Sequence, residues 1–123
     1  MSDDAKCPFC EIAAGRAPAE IVESFPDAIV IRPLNPAADG HLLVIPRGHV
    51  PDALADPAVT GLAMQRAAVI GRLYGCDLNL ITSVGPAATQ TVRHLHVHIV
   101  PRFADDGLPL PWTPQQAKAA SDA

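Results

Sequence analysis

The stretch Arg93-His94-Leu95-His96-Val97-His98-Ile99-Val100-Pro101-Arg102 decides how this chain is read. Aliphatic residues alternate with histidines through it, and an extended strand points successive side chains to opposite faces. The spacing predicts a strand over Leu95 to Val100, with Leu95, Val97 and Ile99 on one face and His94, His96 and His98 on the other. One face is core material. The other is chemistry, because each imidazole carries polar nitrogens that need partners and titrates near neutral pH. A face kept for packing alone is better served by Thr or Val.

Upstream of this strand, Ser83 to Arg93 reads as a loop and Leu78 to Thr82 as a strand. Asp56-Pro57 is a helix start, a capping carboxylate followed by proline in the first turn. Val59, Leu62, Ala63, Arg66, Ala67, Ile70, Leu73 and Tyr74 then recur at helical spacing until Gly75, and the apolar positions among them form one stripe. His41 to Ile45 is a strand closed by Pro46, after a bend marked by Pro33, Pro36 and Gly40. Ile21 to Ser24 and Ala28 to Ile31, separated by Phe25-Pro26-Asp27, predict a hairpin, and Cys7 to Gly15 predicts a short helix. The expected fold is α+β: a five-stranded antiparallel sheet with one long and one short helix.

The 123 residues, 49% hydrophobic, suit one compact domain without internal repeats. The expected division is a tail over 1–6, a domain over 7–112 and a second tail over 113–123. A net charge of -4 without a Lys/Arg cluster argues against nucleic acid as a partner. No apolar run approaches the roughly 20 residues that span a bilayer, and the start Met1-Ser2-Asp3-Asp4 is unlike a signal peptide, so no membrane is expected and the expected location is cytoplasmic. In such a setting the Cys7-x-x-Cys10 pair reads as a metal or redox element, and Cys76 as a buried small hydrophobe.

Gln90 to Arg102 resembles the signature of the histidine triad superfamily of nucleotidyl hydrolases and transferases. Cys7-Pro8-Phe9-Cys10-Glu11-Ile12 and Gly40-His41-Leu42-Leu43-Val44-Ile45-Pro46-Arg47-Gly48-His49 resemble its other motifs in the same order, and all five histidines fall in family positions. The resemblance implies a homodimer whose sheet continues across the two-fold axis. It also implies a catalytic set of His96, His98, His41 and His94: His96 as the nucleophile on an α-phosphate, His98 as a donor to the phosphate or leaving atom, and His41 as a support behind His94 and His96.

The same resemblance places Ser83, Thr89, Gln90 and Thr91 around the phosphate together with loop amides, His98 among the substrate contacts, and Ile21, Val22, Ile31 and Leu34 in a nucleoside slot. Arg93 and Arg102 flank the strand, within reach of a polyphosphate. Pro33, Ser83 and Thr89 depart from the family's usual acidic or amide residue, asparagine and glycine. Cys7, Cys10, His49 and His94 resemble a structural zinc set, although the same cysteines also read as plain free thiols. The implied activity releases a nucleoside monophosphate from a phosphoanhydride or phosphoramidate by way of a nucleotidyl-histidine. Its type is that of a dinucleoside polyphosphate hydrolase or nucleoside phosphoramidase acting on a purine nucleotide or nucleotide conjugate. Two other readings stand beside it: a zinc-stabilised nucleotide-binding dimer with little turnover, and a catalytic metal on His94, His96 and His98.

Overall fold

The structure, a computed structural model, describes residues 7–110. The two expected tails and Trp112 lie outside the described residues. Helix α1 (Pro8–Ala13) is followed by strands β1 (Ile21–Ser24), β2 (Ala28–Ile31) and β3 (Leu42–Pro46), helix α2 (Pro57–Gly71), strand β4 (Asp77–Ile81), a 3-10 turn (Pro86–Ala88) and strand β5 (Val97–Arg102). The strands form one sheet in the order β1-β2-β3-β5-β4, and every neighbouring pair is antiparallel. This is the α+β architecture with five strands and two helices that the sequence predicts.

Strands β2 and β3 read as unbroken apolar runs because both of their faces are covered. On one face Ala63, Ala67 and Ile70 of α2 pack on Val30, Val44, Val97 and Ile99. On the other, Cys7, Phe9 and Cys10 of the α1 region pack on Ile29, Ile31, Leu43 and Ile45. Strand β5 keeps the predicted alternation: Val97 and Ile99 are buried toward α2, and His98 lies opposite Leu43, turned to the α1 face. The α1 face therefore carries the chemistry.

Strand β5 begins at Val97, two residues later than predicted, so His94 and His96 precede it. The Leu95 amide bonds to Val50 O at 2.8 Å, on the loop that leaves β3, and so the backbone stays extended outside the ladder. Helix α2 starts as predicted, Asp56 accepting from the Ala58 amide at 3.1 Å, but it ends at Gly71. Its last turn tightens, with Leu73 and Tyr74 amides bonding three residues back. A Cβ at Gly71 would lie 2.9 Å from Leu78 Cδ1, so this residue sets how closely α2 approaches β4. Val69 and Leu73 face outward, the latter 81% exposed, so the apolar residues do not all lie on the buried stripe. Cys76 is exposed rather than buried, because it follows the left-handed Gly75 in the turn into β4.

Gly40 holds the turn that delivers His41. Its φ is +85°, and a Cβ there would lie 3.2 Å from Pro101 Cγ and 3.4 Å from the Tyr74 ring. The Tyr74 hydroxyl donates to Gly40 O at 2.5 Å. Backbone freedom and close approach both require glycine here. Among the described residues no helix is long and apolar enough to cross a membrane.

Candidate active site and zinc centre

Cys7 caps the N-terminus of α1, and Cys10 follows one turn later, its amide donating to Cys7 Sγ at 3.3 Å. The C-x-x-C spacing thus puts both sulfurs on one side of the first turn. His49 arrives from the segment after β3 and His94 from the approach to β5. The four donor atoms lie within 4.8 Å of one another. His94 Nδ1 is 3.4 Å from each sulfur and 3.2 Å from His49 Nδ1, which is 3.3 Å from Cys10 Sγ. A tetrahedron with Zn–S near 2.3 Å and Zn–N near 2.0–2.1 Å has edges of about 3.3 Å between nitrogens and about 3.6 Å between nitrogen and sulfur. The observed spacings fit that figure.

Electron supply fits as well. His94 is fully buried, and its Nε2–H donates to Pro46 O at 2.8 Å, which leaves the Nδ1 lone pair facing the sulfurs. The Cys2His2 set is a structural zinc site: four protein ligands close the tetrahedron, and no position is left for substrate. Both His94 nitrogens are engaged, one in the metal set and one on Pro46.

The carbonyl of His94 has a second task. His96 Nδ1–H donates to it at 2.8 Å, so the neutral imidazole carries its lone pair on Nε2. The His98 ring lies 5.1 Å from the His96 ring, centroid to centroid, and its tautomer is also fixed from the backbone. The Ala37 amide donates to His41 Nδ1 at 2.9 Å, so the His41 proton sits on Nε2. That nitrogen donates to His98 Nδ1 at 2.9 Å and leaves His98 with an Nε2–H. Burial holds His96 and His41 below the ordinary histidine value, and burial together with the neighbouring imidazoles holds His98 down to about 4. At neutral pH the site presents a lone pair on one ring and an N–H on the next.

A buried zinc set tied through one residue to a lone-pair imidazole, with an N–H imidazole beside it, narrows the choice of family. Residues 14–105 match the HIT domain. The chain belongs to the HIT family. It is 36% identical over 109 residues to an uncharacterized HIT-like protein of Mycobacterium tuberculosis, covering 83% of this chain and 75% of that one. It is 32% identical over 108 residues to adenylylsulfatase HINT3 of Arabidopsis thaliana, covering 83% of this chain and 55% of that protein. Among solved structures it resembles a Zn-bound histidine triad family protein from Mycobacterium smegmatis, with a TM-score of 0.78 and 29% identity over 98% of this chain and 99% of that one. HIT proteins form a superfamily of nucleotide-binding hydrolases and transferases.

Other residues read from the sequence lie elsewhere than the HIT resemblance implied. His41 stands behind His98 and not behind His94 and His96, because the left-handed Gly40 turn carries it to the middle of β5. Ile21, Val22, Ile31 and Leu34 do not share one slot. Ile21 pairs with Ile31, which is buried against the α1 region. Val22, the next residue along the strand, faces the opposite side, in a groove on the α2 side with Leu42, Ile70 and Tyr74. Leu34 is 98% exposed in the bend after β2.

The loop before the histidines is closed on itself. The buried Gln90 accepts from the Gly85 amide through Oε1 at 2.9 Å, and its Nε2 donates to Pro51 O at 2.7 Å and Val92 O at 3.0 Å. The amides of Ala88, Thr89 and Gln90 bond back to Gly85 and Pro86 carbonyls. These amides and the Gln90 side chain hold the loop's shape. Thr89 adopts φ +71°, the left-handed region where the family's usual glycine is at ease. Thr91 is exposed and Ser83 half-buried. Arg93 reaches toward Asp52 at 4.0 Å, whereas Arg102 is clamped by Asp106, Asn79 Oδ1 and Leu108 O.

Phe9 was missed by the sequence reading. Its ring meets His96 edge-on at 5.0 Å and His94 at 5.9 Å. Its spacing gave no signal, because on a helix the residue before Cys10 does not face the same side as Cys7 and Cys10.

Proposed function

We propose that this protein releases a nucleoside monophosphate from a phosphoanhydride or phosphoramidate through a nucleotidyl intermediate on His96. The observation that carries this reading is the His96 Nδ1–H to His94 O bond, which leaves Nε2 as the free lone pair. Nε2 attacks the α-phosphorus, forming an N–P bond as the bond to the leaving group breaks. His98 Nε2–H hydrogen-bonds to the departing atom, which leaves as an oxyanion or, from a phosphoramidate, as an amine with a proton taken from solvent, and His41 holds that tautomer. Water then attacks the same phosphorus, the N–P bond breaks and the water's proton passes to solvent. When bound, zinc contributes folding free energy and fixes His94; no step passes through it.

The ligand class is a purine nucleotide or nucleotide conjugate, and the assembly is a cytoplasmic homodimer. The dimer is supported by the position of β4 at the end of the sheet, where no further strand pairs with it among the described residues, and by the exposure of Leu80, Val69 and Leu73. Sedimentation of the purified chain as a monomer at micromolar concentration would remove it. The second reading, a zinc-stabilised nucleotide-binding dimer with little turnover, is favoured by one observation: the loop amides are taken up within the loop.

The deciding experiment is incubation with adenosine and guanosine phosphoramidates, dinucleoside polyphosphates, adenylyl sulfate and nucleotide sugars, reading nucleoside monophosphate. Release from at least one is expected. Nucleotide binding without any release would leave the second reading.

A further inference from the structure

We propose that Cys7 and Cys10 form a peroxide-sensitive thiol pair, whose oxidation to a disulfide displaces the metal and dislodges the nucleophile. The proposal concerns regulation of the site described above and rests on that reading of His96.

Three observations carry it. The two sulfurs lie within 4.8 Å of each other in one helical turn, so a disulfide needs only a small local movement. Each cysteine also lines its own groove. Cys7 lines one of about 450 Å³ with His49, Thr91 and Arg93, and Cys10 one of about 250 Å³ with Arg16 and Arg47. Cys7 and Cys10 are largely buried, at 6% and 9% exposure, and these grooves are where an oxidant as small as peroxide meets them. Finally, the metal set and the nucleophile share a residue: His94 offers Nδ1 to the set and its carbonyl to His96 Nδ1–H. Phe9, held between the two cysteines, leans on the same His96 ring. Closing the disulfide re-forms that turn, moves Phe9 against the His96 ring and withdraws the two sulfurs from His94 Nδ1, which keeps its Nε2–H bond to Pro46 O.

The chemistry balances with hydrogen peroxide as oxidant. Cys7 thiolate attacks one peroxide oxygen, the O–O bond breaks, and a sulfenic acid and hydroxide result. Cys10 thiolate then attacks the Cys7 sulfur, forming the S–S bond and expelling a second hydroxide. Two electrons pass from the thiolates to peroxide, and zinc leaves with two of its ligands gone.

The test uses full-length zinc-loaded protein carrying Cys76→Ser, which removes the exposed third thiol. Peroxide is expected to release zinc to a chromogenic chelator, one ion per disulfide formed, with the bridge mapped to Cys7 and Cys10. Nitrogen-15 NMR should show the His96 Nδ1–H signal lost or shifted. Turnover should fall about tenfold or more, as is usual when the groups that orient an active imidazole are disturbed. A thiol reductant with added zinc should restore all three. In Cys10→His, which keeps four ligands but cannot form the bridge, peroxide should leave zinc in place.

Zinc retained in the Cys76→Ser protein at peroxide levels that fully oxidise wild-type Cys76 would overturn the proposal. So would zinc loss with unchanged His96 signals, or zinc loss from Cys10→His at the Cys76→Ser rate. Absence of turnover before peroxide would instead remove the enzymatic reading, and the zinc, disulfide and NMR readouts would still decide this one.

Discussion

His41 Nε2 and His98 Nδ1 lie 2.9 Å apart, and the direction of the bond between them is set by a backbone group on neither ring. The Ala37 amide can only donate, so it forces the His41 proton onto Nε2, and His98 in turn must carry its own on Nε2. Two imidazoles are thereby polarised by a single peptide N–H. Replacing His41 with Phe keeps the ring and removes the donor, which frees His98 to take either tautomer. The expected result is a fall in kcat of about a hundredfold with KM nearly unchanged, the scale of a displaced hydrogen-bond catalyst. Steady-state kinetics of the variant on whichever substrate is turned over would check it.

The lowered histidine values give a pH dependence with a definite sign. Burial depresses His96 and His41, and burial with neighbouring imidazoles depresses His98 to about 4. Between 6.5 and about 4 the unfolded chain binds more protons at these positions than the folded one, so stability falls as pH falls. It should be fully present above 6.5 and lost through about 4, with a shallower decline in His98→Asn. Turnover needs neutral His96, so the rate should stay level from pH 8 down to 6.5 and decline only below it. Urea midpoints and kcat/KM across pH 4–8 measure the two.

Removal of the metal should cost stability directly, because its four ligands come from α1, the segment after β3 and the approach to β5. Cys7→Ser, or a chelator on the wild type, is expected to lower Tm by about 10 °C or more, since even about 2 kcal/mol moves a domain of this size that far. Metal analysis of native-purified protein should give one zinc per chain. Zinc-free protein with both thiols readily alkylated would contradict this.

At Thr89 a β-branched side chain sits at φ +71°. Thr89→Gly should stabilise the protein by about 1 kcal/mol through relief of that strain, less the added freedom of the unfolded chain. Because Gln90 still closes the loop, the variant should keep its fold and turnover. A denaturant midpoint that moves down would show that the threonine is held in place by more than the backbone.

The sequence made some elements legible and hid others for physical reasons. Asp56-Pro57 marked the start of α2 because capping is local, and the buried runs of β2 and β3 were visible because apolar continuity needs no partner to be recognised. The alternation from His94 to Ile99 reports extended backbone but not ladder hydrogen bonds, so it overran the start of β5. Ile21 and Val22 were grouped by resemblance, although neighbours in a strand face opposite sides. The C-x-x-C pair was plain, yet its completion by His49 and His94 came from family resemblance, since those ligands are separated by dozens of residues. Least legible were the groups that set the tautomers, the carbonyls of Pro46 and His94 and the amide of Ala37, because every residue offers the same backbone.

The most direct test of the central claim is a rapid-quench experiment with a nucleotide labelled at the α-phosphate. The quench must be alkaline and denaturing, because an N–P bond is lost in acid. A nucleotidyl adduct is predicted to form within the first turnover, to map to His96, and to be absent from His96→Asn, which should still bind nucleotide while losing turnover by several orders of magnitude. Turnover in His96→Asn within about tenfold of wild type, or an adduct mapped to any other residue, would contradict the account.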